Sequence, residues 1–329
     1  MHDSSLSVML ANYGHTEAFR RPEGMVLNGV RLMPVDVTPI VAAYRRMVRN
    51  VEFDICELAP ITYLTAREAG VPIIALPVFV NRSFHHDDIA CRPGSGILSP
   101  KDLEGRKVGV RAYSVSTGVW VRGILAEEYG VDLGKITWVV DDEEHVADLA
   151  LPSNVVHVQE GESLSEMFRN GELDAAVKGA AGIGRTGAAA INWEQGGVRS
   201  GEYYDLLKNA GELDAASYQA NHIYPIHGLV VLRTEIIEKY PWLPQALYRA
   251  MTEEKNAYLA RLEQSPPTTA NDEKYTRYRQ IIRGNPLPYG VKKNRPTLEA
   301  MTRYAYAQGL TGRKLSVEEL FVPLEEDTW

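Results

Sequence analysis

The chain has 329 residues, 45% hydrophobic and 24% charged, with a formal net charge of -8. That mix supports a packed core and excludes a disordered or fibrous chain, and the acidic balance excludes duplex nucleic acid as the expected partner. No apolar run approaches the ~20 residues of a membrane span, and two cysteines, Cys56 and Cys91, are too few for a disulfide framework and point to a reducing compartment.

Residues 1–11 contain no Lys or Arg, and their apolar piece is only Val8-Met9-Leu10. A secretory signal has a cationic start and an apolar stretch of about 7–15 residues, so the expectation is a cytoplasmic protein. Residues 7–10 read as a short strand ending at the turn formers Asn12-Tyr13-Gly14. Residues 36–48 read as a helix with Pro39 in its first turn. Phe53-Asp54-Ile55-Cys56-Glu57-Leu58 reads as a strand leading into a helix over 60–69, stopped by Gly70. Residues 73–80 form a continuous apolar run, as in a strand covered on both faces. Strands alternating with helices mean α/β.

A polar loop over 81–96 precedes a second series. It has a turn of helix at 101–105, a strand over 107–110 and a helix opened by Ser114-Val115-Ser116-Thr117 and closed by Gly130. A strand over 136–140, a short helix over 163–169 and a strand over 175–178 follow. Residues 226–232 read as another apolar strand, and helices over 241–263, 271–283 and 296–308 come after it, broken by Ser265-Pro266-Pro267 and Pro286-Leu287-Pro288. The segment Gly-Glu-Leu-Asp-Ala-Ala occurs at Gly171 and at Gly211 in different surroundings, and reads as coincidence rather than a repeat. The tail 320–329 is expected to dock on a subunit or to fray. The result is two α/β units joined through polar crossings near residues 90 and 222, with a cleft between them as the default ligand site.

Several segments line up with one family. They are Phe53-Asp54-Ile55-Cys56-Glu57-Leu58, Pro77-Val78-Phe79 with Arg82-Ser83-Phe84-His85-His86, and Gly105-Arg106-Lys107-Val108-Gly109-Val110. Gly118-Val119-Trp120-Val121-Arg122-Gly123-Ile124-Leu125, Glu128-Tyr129-Gly130-Val131 and Ile136-Thr137-Trp138 continue the set. Ile223-Tyr224-Pro225-Ile226-His227, Tyr240-Pro241-Trp242, Tyr289-Gly290-Val291 and Gln308-Gly309-Leu310 close it. In this order they resemble the 4,5-dihydroxyphthalate decarboxylase family. The resemblance covers most of 50–140 and 220–312. It implies an α/β fold of the type 2 periplasmic-binding-protein-like kind, two lobes with a ligand cleft between them. Lobe I would be residues 1–91 and 225–329, discontinuous and carrying the C-terminal helices; lobe II would be 92–224. The implied reaction is non-oxidative loss of one carboxylate from 4,5-dihydroxyphthalate, giving protocatechuate and carbon dioxide. The alternative is a non-catalytic solute-binding protein for a small anionic aromatic ligand. The expected partner is a small aromatic carboxylate, with no nucleic acid and no membrane, in a possible homo-oligomer. No cofactor is expected, and a divalent metal stays open.

The chemistry needs held carboxylates, a proton for the ring carbon and control of charge on the ring hydroxyls. Ser114, Ser116 and Thr117 open a helix, where free N–H groups and hydroxyls make a carboxylate site or a plain N-cap, with Arg111 and Tyr113 beside them. Arg82 is expected to clamp a carboxylate, and His85 or His86 to donate a proton, against the reading of a solvated charged loop. His227 precedes an apolar strand and is a further catalytic candidate, against a satisfied core histidine; His222 is a weaker binding candidate. Pro225 breaks the helix that a two-histidine zinc pattern would need. Glu57 either binds a ring hydroxyl or caps a helix, and Lys178 either pairs a carboxylate or is a surface lysine. Gly182-Ile183-Gly184-Arg185-Thr186-Gly187 fits a dinucleotide pattern, but no suitable acidic position follows. A flexible glycine-rich loop is the expectation there, and core packing the expectation for Cys56.

Overall fold

A computed structural model describes residues 4–186 and 192–325. In chain order it runs β1 (Ser4–Met9), β2 (Met25–Leu27), β3 (Val30–Pro34), α1 (Ile40–Asn50), β4 (Ile55–Leu58), α2 (Pro60–Glu68) and β5 (Ile73–Arg82). Next come β6 (Ile89–Cys91), β7 (Lys107–Gly109), α3 (Ser116–Glu127), β8 (Thr137–Val140), β9 (Val155–His157), α4 (Leu164–Asn170), β10 (Ala175–Val177) and β11 (Tyr204–Asp205). The chain ends with α5 (Ala210–Asn221), β12 (Ile226–Arg233), α6 (Thr234–Lys239), α7 (Leu243–Gln264), α8 (Ala270–Ile282) and α9 (Val291–Ala307). Among the described residues no helix is long and apolar enough to cross a membrane.

Two compact units result. The first is Met1–Ser83, Ser217–Thr302 and Leu315–Trp329; the second is Phe84–Ala216 and Arg303–Lys314. The crossings fall at 83/84 and 216/217, eight residues before the 91/92 and 224/225 boundaries read from the sequence. Residues 303–314, which the sequence reading gave to lobe I, group with the second unit. Their side chains explain it: Arg303 and Tyr304 bond Glu127 in α3, and Gln308 accepts from the Arg122 guanidinium.

The first unit holds a sheet ordered β2-β3-β1-β4-β12-β5. β1 is parallel to β3 and β4, while β12 runs antiparallel between β4 and β5. β4 and β5 therefore point the same way. The carboxyl ends of β1, β4 and β5 and the amino end of β12 share one rim. Leu6, Val8, Ile55, Val78, Val230 and Leu232 fill the core beneath it. The continuous apolar run of β5 reflects burial along nearly its whole length. Phe321 packs edge-on to Phe79 at 5.9 Å and bridges Ala75, so the start of the tail docks on its own unit. Residues 326–329 lie outside the described residues.

The second unit holds a sheet ordered β11-β6-β10-β7-β8-β9. β7 to β10 form its parallel part, and β6 is antiparallel to both β10 and β11. Trp120 and Trp138 are fully buried beside it. An aromatic of that kind removes ~150–250 Å² from water, an upper value of about 4–6 kcal/mol each. The carboxyl ends of β7, β8 and β10 deliver Arg111, the Asp141-to-His145 loop and Lys178.

Candidate active site

The rim of the first unit gathers ionisable groups from four segments. Glu57 is the third residue of β4, and its side chain is wholly buried. Its Oε2 accepts the Ala11 N–H at 3.0 Å, and its Oε1 accepts the Tyr13 hydroxyl at 2.8 Å and the Tyr44 hydroxyl at 3.3 Å. Burial raises its pKa, and these hydrogen bonds offset only part of the rise. Gly228 of β12 makes room for the carboxylate, because a Cβ there would stand 2.5 Å from Oε1. Helix α8 brings Lys274, whose Nζ donates to Asn81 Oδ1 at 2.9 Å at the end of β5. Burial lowers the Lys274 pKa to about 8.

His15 lies in the loop after β1, buried, with its ring parallel to Tyr13 at 5.4 Å. Its Nε2 is 2.9 Å from the Val80 carbonyl, which only accepts, so the proton sits on Nε2. Burial pushes its pKa down to about 3 and keeps the ring neutral. Nδ1 is then an acceptor without a donor among the described residues. Sequence reasoning missed Tyr13, His15, Tyr44, Asn81 and Lys274. Only the position of the β1 turn after an apolar strand hinted at the first two.

The other candidates from this unit have different surroundings. Arg82 is fully buried, and its Nη1 donates to Tyr224 O at 2.7 Å. Its Nη2 donates to Pro288 O at 3.1 Å and to Asn294 Oδ1. Instead of standing open to a ligand carboxylate, both terminal nitrogens tie the end of β5 to the segments entering β12 and α9. Burial lowers its pKa to about 10, which still leaves a cation. His227 is half-buried in β12, between Ile226 and Gly228, where pairing with β5 slips. It shares the rim with Glu57 and Asn81. His222 is exposed in a left-handed conformation (φ 57), edge-on to Tyr218 at 5.7 Å.

His85, His86 and Lys178 belong to the second unit. His85 Nδ1 pairs with Asp88 Oδ2 at 2.6 Å. His86 donates from Nδ1 to Asp214 at 2.7 Å and from Nε2 to Glu128 at 2.9 Å. Burial opposes its charge, but the two carboxylates win and hold its pKa up to about 9. An imidazole with both nitrogens donating to carboxylates is a fixed cation. Lys178 lies between Asp87 and Asp205, 2.9 Å from each. Burial disfavours its charge, yet those bonds raise its pKa.

At the entrance to α3, Val115 is the N-cap and supplies no side-chain bond. Ser116 is buried and Thr117 half-buried in the first turn. The N–H groups of Tyr113 and Ser114 donate to Glu144 at 2.6 and 3.1 Å, and the Ser114 hydroxyl donates to the same carboxylate. The loop thus holds a carboxylate of its own chain, where the sequence led us to expect one from a ligand. Arg111 pairs with Asp142 at 2.9 Å, and Arg185 pairs with Asp141, all four groups buried. The acidic run 141–144 therefore neutralises the cations of this rim. Arg185, read as part of a flexible glycine-rich loop, is a buried anchor. Gly182 and Gly184 are needed for close backbone approach, since a Cβ would meet Val177 O at 1.9 Å or Gly179 Cα at 2.6 Å. Gly187 lies outside the described residues. Among the described residues no group of three or more His, Cys, Asp or Glu side chains converges as for a metal ion.

An NMT1/THI5-like family model matches residues 41–180. A Comamonas testosteroni protein named 4,5-dihydroxyphthalate decarboxylase is 31% identical over 290 residues, covering 84% of each chain. A Pseudomonas putida protein of the same name is 39% identical over 140 residues, 40% of this chain and 54% of its own. Among solved structures, the aliphatic sulphonate-binding protein SsuA of Escherichia coli superposes with a TM-score of 0.54 at 11% identity, covering 97% of this chain and 92% of its own. The alkanesulfonate-binding SsuA of Xanthomonas axonopodis pv. citri, bound to MOPS, gives 0.53 at 14% identity, covering 97% and 98%. Those likenesses establish the fold, that of periplasmic binding proteins, and no more. With 84% of its length aligned to the Comamonas protein at 31% identity, the chain belongs to the 4,5-dihydroxyphthalate decarboxylase family.

Proposed function

We propose that this chain is a carboxy-lyase that removes one carboxylate from 4,5-dihydroxyphthalate, releasing protocatechuate and carbon dioxide. The relationship to the Comamonas decarboxylase over 84% of both chains carries the reading. In this substrate each hydroxyl is para to one carboxylate-bearing carbon. Removing the proton from that hydroxyl raises electron density at the carbon to be protonated. A proton then adds there, the carbon–carbon bond to the carboxylate breaks, its electron pair restores the aromatic ring as a phenolate, and the base returns the proton to that oxygen.

The rim of the first unit suits the hydroxyl end of this chemistry. We assign His227 as the group that accepts the hydroxyl proton, and the buried Glu57 as the acceptor that orders the tyrosines behind it. Ser116 and Thr117, in the first turn of α3, are assigned to a substrate carboxylate, while Tyr113 and Ser114 are committed to Glu144 and hold the loop in place. Arg82, His86 and Lys178 act by fixing the frame, because each is already committed to internal partners. His85 and His222 are left without a chemical step. Cys56 and Cys91 are buried and unbridged, which supports a reducing, cytoplasmic setting.

The test is a spectrophotometric assay of purified, chelator-treated protein with 4,5-dihydroxyphthalate. Equal yields of protocatechuate and carbon dioxide are expected, with no turnover of phthalate, which lacks the activating hydroxyls. Tight binding of the diacid without product would overturn the reading in favour of a solute-binding protein, the role that the fold of its sulfonate-binding neighbours carries.

A further inference from the structure

Each decarboxylation consumes one proton at the ring carbon. Its donor must carry a transferable proton near neutral pH, stand at a rim and be recharged from solvent. Most buried acids of this chain fail one condition. His86 keeps both protons against carboxylates, and Lys178 is held between two aspartates. Arg82 is a guanidinium bound to three acceptors. Glu57 has no exposed surface, His15 commits its one proton to Val80 O, and Lys255 is buried against the Tyr289 ring at 4.5 Å.

Lys274 meets all three. It is half-buried, so part of the residue remains open to solvent. Its Nζ is fixed by a neutral acceptor, Asn81 Oδ1, at 2.9 Å, and lies 4.7 Å from the Tyr275 ring. Among the described residues no carboxylate forms an ion pair with it, so two of its three N–H bonds are not drawn to a charged partner. Asn81 pairs with Gly228, next to His227, so the ammonium stands at the rim assigned to the substrate hydroxyl.

We propose that Lys274 is the catalytic acid that protonates the ring carbon as carbon dioxide leaves, a role that rests on the decarboxylase reading. An Nζ–H bond breaks and a C–H bond forms at the carbon bearing the departing carboxylate. The carbon–carbon bond then breaks, its electrons return to the ring, and carbon dioxide departs. The neutral amine left behind takes a proton from solvent. The groups facing Lys274 fit that task. Glu57 of β4 favours its charge, Arg277 on its own helix and burial disfavour it, and Asn81, Tyr275 and the neutral His15 add no net charge. The resulting pKa of about 8 leaves it protonated yet acidic at neutral pH.

The experiment compares wild type, K274R and K274M by kcat, KM, thermal midpoint and pH profile. Arginine keeps the charge and the reach but does not release its proton. K274R is expected to retain KM within about threefold and to lose roughly 10²–10⁴-fold in kcat. K274M should lose kcat similarly at an unchanged melting temperature. In the wild type kcat/KM should fall above about pH 8. K274R with kcat within about threefold of wild type would overturn the proposal while leaving the decarboxylase reading intact. Absence of wild-type turnover would overturn both. In ligand-free protein, ¹³C-methylated lysine resonances offer an independent check: one signal missing from K274R should titrate near 8. An ordinary lysine titration at that signal, near ~10.4, would also overturn it.

Discussion

Replacing His86 by Gln tests how the second unit is held together. His86 joins the start of that unit to α3 through Glu128 and to α5 through Asp214. Its pKa rises from 6.5 in the unfolded chain to about 9 when folded. At ~1.36 kcal/mol per decade of acidity that is an upper value of about 3 kcal/mol. Because Glu128 is 28% exposed and partly screened, about 2–3 kcal/mol is the better expectation. The sign follows from the raised value. The stabilisation is complete below pH 6.5 and is lost as pH rises through about 9. Asp214 and Glu128 are the carboxylates that hold the charge on the imidazole, with Tyr129 beside them. Lys255 and Lys274, with folded values near 8, contribute in the opposite direction and are common to both proteins. The comparison is therefore a difference between wild type and H86Q, from urea unfolding at several pH values between 6 and 10. H86Q should be less stable by about 2–3 kcal/mol at pH 6 and nearly level with wild type at pH 10. Parallel curves across the range would refute the argument.

Three other outcomes are expected. Glu57→Gln should gain on wild type as pH rises from 4 to 7, because the raised carboxyl pKa makes the native protein lose stability over the ordinary carboxylate range; a pH-independent difference in urea melts would contradict this. Gly228→Ala should destabilise the first unit by about 1–3 kcal/mol, since its Cβ would crowd Glu57 Oε1, Val80 and Asn81; an unchanged melting temperature would show that the carboxylate moves aside freely. Asn294→Ala removes an acceptor from Arg82 and donors from Pro288 O and Gly290 O, and should cost about 2–4 kcal/mol in urea unfolding. Asn294→Asp, which restores an acceptor for Arg82, should recover part of that loss.

The alternation of strands and helices was legible because each apolar run is bounded by a turn or cap. Gly171 stops α4 in a left-handed conformation, and Ser163 caps its start. The β2–β3 hairpin was missed although Asn28-Gly29 carries its signal, positive φ at both turn residues. Two copies of Gly-Glu-Leu-Asp-Ala-Ala show where local sequence stops deciding. At Gly171 the segment ends a helix and enters β10, pairing with β6 and β7; at Gly211 it lies inside α5. Helix α9 begins five residues before the Pro296 expected to open it, with Asn294 bonding back to Gly290 O across its first turn. Of the site, Glu57 and the Ser114 loop were visible from strand ends and helix starts. The partners were not. Glu144, Asn81 and Lys274 lie 30 to 217 residues from the groups they serve, counting Ser114 to Glu144 and Glu57 to Lys274, and no local pattern encodes such pairing.

The placement of β12 also sets a schedule for making the protein. Among the described residues, β12 is the one strand of the sheet that pairs with β5, which lies at its edge. During synthesis, residues 73–82 therefore wait without a lateral partner until 226–233 have left the ribosome. Through that interval an apolar strand has two open edges, while the stretch 84–216 between them, all of the second unit but residues 303–314, is already made. Closing so long a loop is slow and leaves the nascent chain exposed to aggregation. A chain released before residue 226 should be captured by holding chaperones, whereas one released after 233 has every strand it needs.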